Sequence, residues 1–331
     1  MPRLGVVGTM VWDTIHARDV GRTEPVEEWG GIAYALSAFE AAAPEGWRLF
    51  PIIKVGADLA ERAGSYLGRL RRIDSMDGVR PVPEPNNRVE LVYHDAGRRC
   101  ERLTGGVPGW SWEELAPLAA SCDAMYVNFI AGWEMDLGCA SELRRRFEGV
   151  MYGDIHSLML GIGPDGVRRL RPLAAWREWL ACFDLVQINE EELTTLAGPA
   201  GDPWRLAAEV VGEHTRALLV TLGERGAAWV AAAGFERLHG GLRRDGLAMR
   251  GGAVTGMVPI ARPVTDGDPT GCGDVWGMTC FASLLGGRTL TEAMETANEF
   301  AVRNVGFRGA SNLAELLRSE GRILGKEERS G

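Results

Sequence analysis

Short apolar runs recur along the chain, separated by longer stretches in which apolar residues follow a helical spacing. The runs are Leu4–Gly8, Phe50–Gly56, Met125–Ile130, Val150–Ile155, Leu185–Asn189 and Leu218–Gly223. Continuous apolar runs of this length are typical of strands that are buried on both faces of a parallel sheet. Helices are predicted between them at about 31–43, 57–71, 112–120, 138–148, 165–180 and 203–214. This alternation predicts an α/β fold with a doubly wound, mostly parallel sheet.

Two segments depart from this rhythm, at about 11–29 and 87–104. Polar and apolar residues alternate in both, as in strands with one exposed face, and Asp95-Ala96-Gly97 is typical of a hairpin turn. We expect them to form a small β flap, or lid, beside the main sheet, and a flap edge of this kind favours a homodimer. The main domain is expected to span residues 1–315, followed by a charged C-terminal tail at 316–331.

Composition limits the classes of partner. The chain has 36 basic and 45 acidic residues, a formal charge of −9, and no long basic cluster, so no nucleic-acid partner is expected. No apolar run reaches the ~20 residues that a membrane helix needs, and the N-terminus has no apolar leader. The six cysteines are scattered without metal-site spacing. These features predict a cytoplasmic protein with free thiols and no membrane partner.

A glycine-rich stretch, Asp268-Pro269-Thr270-Gly271-Cys272-Gly273-Asp274, precedes an apolar helical segment. Glycines in a loop that opens a helix allow backbone N–H groups to approach an anion, and the helix N-terminus adds partial positive charge. Asp274 falls in the first helical turn, where the dipole favours an ionised carboxylate. A bare Gly-x-Gly-Asp is more often a simple helix cap, so this stretch gains weight only from its longer pattern.

The longer pattern, Asp-x-Thr-Gly-x-Gly-Asp, closely resembles the C-terminal signature of the ribokinase or PfkB carbohydrate kinase family. Pro269 and Cys272 replace the Thr and Ala that are usual there. The resemblance implies that Gly271, Cys272 and Gly273 cradle the transferring phosphate and that Asp274 is the catalytic base.

Other motifs follow in the family's order. Asn189-Glu190-Glu191-Glu192 resembles its Asn-x-x-Glu element, which implies that Glu192 orients Mg²⁺ through water; alone, this string reads equally as an exposed acidic helix start. The run from Val220 to Gly226 resembles the turn beside the nucleotide. The resemblance thus implies ATP as co-substrate, with Asn189, Thr221, Gly223 and Gly226 as nucleotide-binding residues. It also implies a K⁺ site, for which Asp268 and Thr270 are candidate ligands.

On the acceptor side, Gly8 to Asp13 resembles the family's Gly-x-x-x-x-Asp, which implies that Asp13 binds sugar hydroxyls. Gly30-Gly31 resembles the glycine pair beside the sugar, but Tyr34 stands where an Asn is usual. The pattern at 55–58 also lacks the later glycine at about position 61. The identity of the acceptor therefore stays open.

Two further residues follow the ends of predicted strands, Glu134 and His156. Ligands of open α/β sheets bind outside those ends, so both are candidate substrate contacts. His156 reads equally well as an ordinary loop histidine.

The favoured function is an ATP-dependent kinase that phosphorylates a hydroxyl of a small sugar or sugar-like substrate, with a nucleoside kinase as an alternative. A dinucleotide-dependent oxidoreductase is disfavoured because Gly5 and Gly8 do not fit Gly-x-Gly-x-x-Gly. A non-catalytic sugar- or nucleoside-binding regulatory protein with the same fold is disfavoured by Asp274 and the two glycines before it.

Overall fold

A large β-sheet forms the centre of the protein. The computed structural model describes residues 1–16, 25–93, 99–212, 214–238, 252–264 and 267–319. Its strands in chain order are β1 (Arg3–Ile15), β2 (Val26–Gly31), β3 (Arg48–Gly56), β4 (Val79–Val82), β5 (Arg88–Tyr93), β6 (Arg99–Thr104), β7 (Ala124–Asn128), β8 (Val150–Asp154), β9 (Leu160–Ile162), β10 (Arg168–Leu170), β11 (Leu185–Asn189), β12 (Ala217–Thr221), β13 (Ala227–Ala232) and β14 (Ala253–Val258).

The main sheet runs in the order β14-β13-β12-β11-β8-β7-β1-β3-β4. Neighbouring strands from β12 to β4 are parallel, whereas β13 and β14 add an antiparallel edge. The chain builds outward in both directions from β1, so the switch in strand order falls between β1 and β7. This confirms the predicted doubly wound sheet, and each predicted apolar run overlaps an observed strand.

The lid is a continuation of β1. After Thr9 this strand leaves the main sheet and pairs antiparallel with β2 and parallel with β5, which in turn pairs antiparallel with β6. A small apolar cluster that includes Val11, Val89 and Leu103 supports this second sheet. The predicted flap segments are therefore confirmed as strands beside Asp13 where the structure describes them, whereas residues 17–24 and the predicted turn at 95–97 lie outside the described residues.

Helices cover the sheet in two groups. They are α1 (Ile32–Ala42), α2 (Ala60–Leu67), α3 (Trp112–Ala119), α4 (Leu137–Arg146), α5 (Trp176–Ala181), α6 (Glu190–Ala197), α7 (Pro203–Val210), α8 (Cys272–Leu285), α9 (Leu290–Val305) and α10 (Leu313–Ser319). α1, α8, α9 and α10 pack on one another, and α3 to α7 form the other contiguous layer. In the part of the chain that the structure describes, each helix is too short or too polar to cross a membrane.

The predicted helix at 165–180 is wrong over its first half. Residues 168–170 form β10, which pairs antiparallel with β9, and the helix is confined to Trp176–Ala181. Gly166 has a φ of 74°, which suits the tight turn between these strands, and Pro172 cannot donate to a helical ladder. The apolar spacing of this segment suggested a helix, but pairing with β9 makes it a strand of a hairpin.

Candidate active site

A cavity of about 270 Å³ opens at the carboxyl ends of the central strands, against the lid. Asn128, Asp154, Asn189 and Thr221, which end β7, β8, β11 and β12, all line it. Parallel strands bring their carboxyl ends to one edge, which is where open α/β sheets bind ligands. The cavity is also lined by these residues predicted from the sequence: Asp13, Gly31, Tyr34, His156, Asn189, Glu192, Thr221, Thr270, Gly271, Gly273 and Asp274.

The glycine loop ends at the N-terminus of α8. Gly271 is the N-cap, with a left-handed φ of 76°, and a Cβ there would lie 2.4 Å from the ring of Tyr34. Asp274 follows as the third residue of the helix, and its Oδ1 accepts a hydrogen bond of 2.6 Å from Asn128 Nδ2. Position 271 therefore requires glycine for two reasons: the backbone is left-handed there, and a side chain would clash with Tyr34.

The loop amides are not equivalent. The N–H of Cys272 donates to the Pro269 carbonyl at 3.1 Å, whereas those of Gly271 and Gly273 have no acceptor within the described part of the chain. The Cys272 side chain contacts α9, where its Sγ lies 3.5 Å from the Ala301 carbonyl, and it does not line the cavity. Of the three residues predicted to cradle a phosphate, Gly271 and Gly273 line the cavity with amides that lack an acceptor among the described residues, whereas Cys272 does neither.

Two amide side chains hold this loop in place. Gln187 Nε2 donates to the Gly273 carbonyl at 3.0 Å while Gln187 Oε1 accepts from the Tyr152 hydroxyl at 2.8 Å. Asn304 Nδ2 donates to the Thr270 carbonyl at 2.8 Å. Sequence reasoning missed Gln187, although a buried amide inside the otherwise apolar strand β11 was a signal for it.

Asp154 is a second carboxylate that the sequence analysis did not assign. Burial, together with the charge of Asp274 nearby, raises the pKa of Asp154 to about 8. Its position at the carboxyl end of β8 was the signal that could have found it. The cavity therefore holds one buried carboxyl group that binds a proton at neutral pH, close to another that is exposed to ligand.

Asn189 and Glu192 form a capping box at the start of α6. Asn189 N–H donates to Glu192 Oε2 at 2.8 Å, Asn189 Nδ2 donates to Glu192 Oε1 at 2.6 Å, and the Glu192 N–H donates to Asn189 Oδ1 at 2.9 Å. His156 Nδ1 also bonds to Glu192 Oε1. Glu192 Oε1 is thus fully engaged, while Oε2 keeps a lone pair for a further donor such as a metal-bound water.

This donor set fits a water-mediated Mg²⁺ contact better than direct coordination. Among the described residues, no three His, Cys, Asp or Glu side chains come together to hold a metal ion by themselves. Mg²⁺ commonly keeps several waters and takes its remaining ligands from phosphates.

His156 lies between the cavity and Glu192. Desolvation lowers the pKa of His156, but the Glu192 carboxylate beside it outweighs this effect and raises the pKa to about 9. The imidazole is therefore cationic at neutral pH. His156 lines the cavity, where it was predicted to contact substrate. It pairs there with Glu192, the carboxylate that was predicted to orient Mg²⁺.

One end of the cavity lies against the lid, where Asp13, Val89 and Leu91 line it. Asp13 is buried, and a Cβ at Gly30 would lie 1.7 Å from Asp13 Oδ2, so Gly30 leaves space for this carboxylate without lining the cavity itself. Gly31 starts α1 with a φ of 58°. Tyr34 is buried, and burial together with Asp13 raises the pKa of its hydroxyl.

Glu134 is placed differently from its prediction. Its Oε1 accepts from the N–H groups of Ile130 and Ala131 at 2.9 and 2.6 Å and from Thr9 Oγ1 at 2.8 Å, and its Oε2 accepts from the Gly132 N–H at 3.0 Å. It is buried and does not line the cavity. This carboxylate stabilises the loop after β7 and is not positioned as a substrate contact.

Gly223 and Gly226 flank the turn after β12, outside the cavity lining. Gly226 has a φ of 99°, and a Cβ there would lie 2.2 Å from the Val258 carbonyl, so this glycine permits close approach of the neighbouring chain. Gly223, with a φ of 61°, faces open space.

Asp268 and Thr270, the candidate K⁺ ligands, are buried against each other. Asp268 Oδ1 accepts from the Thr270 N–H at 2.9 Å and from Thr270 Oγ1 at 2.6 Å. Arg308 Nε lies 3.9 Å from Asp268 Oδ2 and already places a positive charge there. The pair therefore holds the loop before α8.

Comparison with solved structures gives the class of the fold. The chain is similar to a ribokinase from Thermotoga maritima (17% identity, TM-score 0.67, covering 97% of this chain and 99% of that one). It is also similar to a nucleoside kinase from Burkholderia thailandensis solved with inosine (16%, 0.70, 97% and 97%). A protein from E. coli solved with ATP and Mg²⁺ is similar as well (19%, 0.69, 98% and 100%). The fold is thus ribokinase-like along its whole length.

Residues 167–316, which contain the glycine loop and the Asn189–Glu192 element, match the model of the pfkB family carbohydrate kinases. No curated protein matches the sequence. This match and the ribokinase-like fold together support an assignment to the PfkB-type carbohydrate kinases.

Proposed function

We propose that this protein transfers the γ-phosphoryl group of ATP to a hydroxyl group of a small sugar or sugar-like acceptor. One observation carries the proposal: a single cavity is lined by Asp274, the amide loop at the start of α8, and Glu192. A carboxylate, an anion hole and a metal-orienting group are the parts that in-line phosphoryl transfer requires.

Asp274 is the proposed base. Its carboxylate accepts the proton of the attacking hydroxyl as the new bond to phosphorus forms, and Asn128, which donates to Oδ1, fixes its orientation. Asp13 lies in the lid part of β1 and orients the acceptor by accepting from its other hydroxyls.

The loop before α8 acts on the phosphate. The Gly271 and Gly273 amides are oriented before substrate binds and stabilise the charge that builds on the equatorial oxygens. Glu192 would hold nucleotide-bound Mg²⁺ through water, and this ion would neutralise negative charge on the phosphates. Asn189 and Thr221, at the ends of β11 and β12, lie on the nucleotide side.

Other parts of the proposal extend beyond this centre. Binding of K⁺ by Asp268 and Thr270 is tested by comparing turnover with and without K⁺. The comparison is needed because Arg308 already supplies a positive charge beside Asp268. A homodimer through the lid and a cytoplasmic location remain predictions. A nucleoside kinase would use the same transfer centre with a different acceptor, and a regulatory protein would bind without turnover.

The test is a coupled ADP-release assay with ATP and Mg²⁺ across pentoses, hexoses, sugar acids and nucleosides, each with and without K⁺. Turnover of one acceptor, lost in the Asp274→Asn variant, is the expected result. A folded protein that is stabilised by a sugar or nucleoside but releases no ADP with any acceptor would refute the kinase and favour the regulatory protein.

A further inference from the structure

Arg168 is a buried cation at the lid side of the cavity. It lies on β10, whose hairpin joins the edge of the lid through a hydrogen bond of 3.1 Å from the Leu103 N–H to the Gly166 carbonyl. Its side chain is 3% exposed and lines the cavity. Nη1 donates to Glu101 Oε1, from lid strand β6, at 2.7 Å.

The rest of this guanidinium has no partner. Nε and Nη2 of Arg168 are buried and make no hydrogen bond within the described part of the chain. Leaving a buried donor of a charged group unpaired is energetically costly, so such donors are normally satisfied. An acceptor that enters the cavity from outside would satisfy them.

The two unpaired donors have a specific geometry. Nε–H and one Nη2–H point in parallel from one edge of the planar guanidinium, while the Glu101 contact uses Nη1. Two parallel donors match the two oxygens of a carboxylate in a bidentate pair. A single hydroxyl group would satisfy only one of them.

Apart from the amide loop before α8, the charge distribution favours an anionic ligand group at the Arg168 end of the cavity. The cations that line the cavity are Arg168 and His156, and the charge of Glu101 acts on both. Its acids are Asp13, Glu101, Asp154, Glu192 and Asp274. A carboxylate bound elsewhere in the cavity would meet like charges, whereas beside Arg168 it meets a fork of donors.

We propose that Arg168 binds a carboxylate of the acceptor, so that the substrate class is a sugar acid with its reacting hydroxyl toward Asp274. Phosphorylation of the acid rests on the proposed function, whereas binding of the acid at Arg168 does not. Glu101 is a positioning residue, since it holds the guanidinium by Nη1.

The first experiment compares matched ligands on the wild-type protein. Gluconate and galactonate differ from glucitol and galactitol by a carboxylate in place of one CH₂OH group. Thermal melting and titration calorimetry are run for all four, without nucleotide and then with a non-hydrolysable ATP analogue. We expect at least one acid to raise the Tm and to bind about 10- to 100-fold more tightly than its alditol. Equal affinity within each pair, or binding of neither acid under both conditions, overturns the proposal.

The second experiment uses variants. Arg168→Lys keeps the charge but loses the fork, and Arg169→Gln is a matched control, because Arg169 is exposed on the same strand and pairs with Asp165. We expect Arg168→Lys to weaken acid binding by about 10- to 100-fold and to leave alditol binding unchanged. Melting without ligand verifies that each variant is folded. Unchanged acid affinity in a folded Arg168→Lys protein overturns the assignment.

Failure of the two proposals can be separated. Acid binding that depends on Arg168, without ADP release, would leave this inference standing and refute the kinase. ADP release that is fastest with a neutral sugar, a sugar phosphate or inosine, and that is insensitive to Arg168→Lys, would support the kinase and overturn the carboxylate site.

Discussion

The Asp274→Asn substitution separates catalysis from folding. The carboxylate is the third residue of α8 and accepts 2.6 Å from Asn128 Nδ2. The Asn amide oxygen is still able to accept this bond, but the amide cannot take the proton of an attacking hydroxyl. We therefore expect kcat to fall by about 10²- to 10⁴-fold, which corresponds to about 3–5 kcal/mol of barrier.

The effect on stability should be small because two terms oppose each other. Removing a carboxylate from the first turn of a helix costs about 0.3–1 kcal/mol of dipole interaction. The same change removes the charge that, together with burial, raises the pKa of Asp154, and so lowers the cost of keeping this buried carboxyl protonated at neutral pH. We expect the free energy of unfolding to change by about 1 kcal/mol or less.

The assay measures kcat with the best acceptor, the Kd of ATP and the Tm, for wild type, Asp274→Asn and the control Asp77→Asn, which alters an exposed carboxylate. A helix cap without a catalytic role predicts little change in kcat. A variant that melts normally and keeps more than about a tenth of wild-type kcat would place the base elsewhere.

Three further predictions test neighbouring parts of the site. Glu192→Gln should raise the Mg²⁺ concentration needed for half-maximal activity and lower turnover; unchanged activity at limiting Mg²⁺ contradicts the assignment. The pKa of Asp154 is about 8 in the folded protein, above its unfolded value, so the folded state binds more protons between about pH 4 and 8. The stability should therefore fall as the pH rises through this range. Asp154→Asn should flatten this part of a Tm–pH curve measured without metal. Gly271→Ala should lower both Tm and kcat because its Cβ meets the Tyr34 ring. The control Gly64→Ala, inside α2, meets nothing within 4 Å and should keep kcat and raise the Tm slightly; equal melting of the two variants would count against this packing.

Local patterns were sufficient for much of the fold. The apolar runs located the main parallel strands, and Ser111 and Glu114 form the capping box that their spacing predicts. The antiparallel edge was missed because β13 consists largely of alanine, which carries little strand signal. The helix predicted at 165–180 is wrong over its first half because β10 owes its pairing to β9 and not to its own periodicity.

Some features of the candidate site are likewise set by local sequence, and others only by tertiary structure. The sequence by itself determined the glycine loop and the Asn189–Glu192 element, because each is a short continuous string whose backbone geometry is local. Only the tertiary structure decided that Glu134 holds its own loop and that Glu101 and Arg168 meet at the cavity. Arg168 and Glu101 are 67 positions apart in the chain, so their contact depends on strand order and on the packing of the lid, which periodicity and spacing do not encode. Glu134 bonds mainly to its own loop, but its exclusion from the cavity depends on how that loop packs.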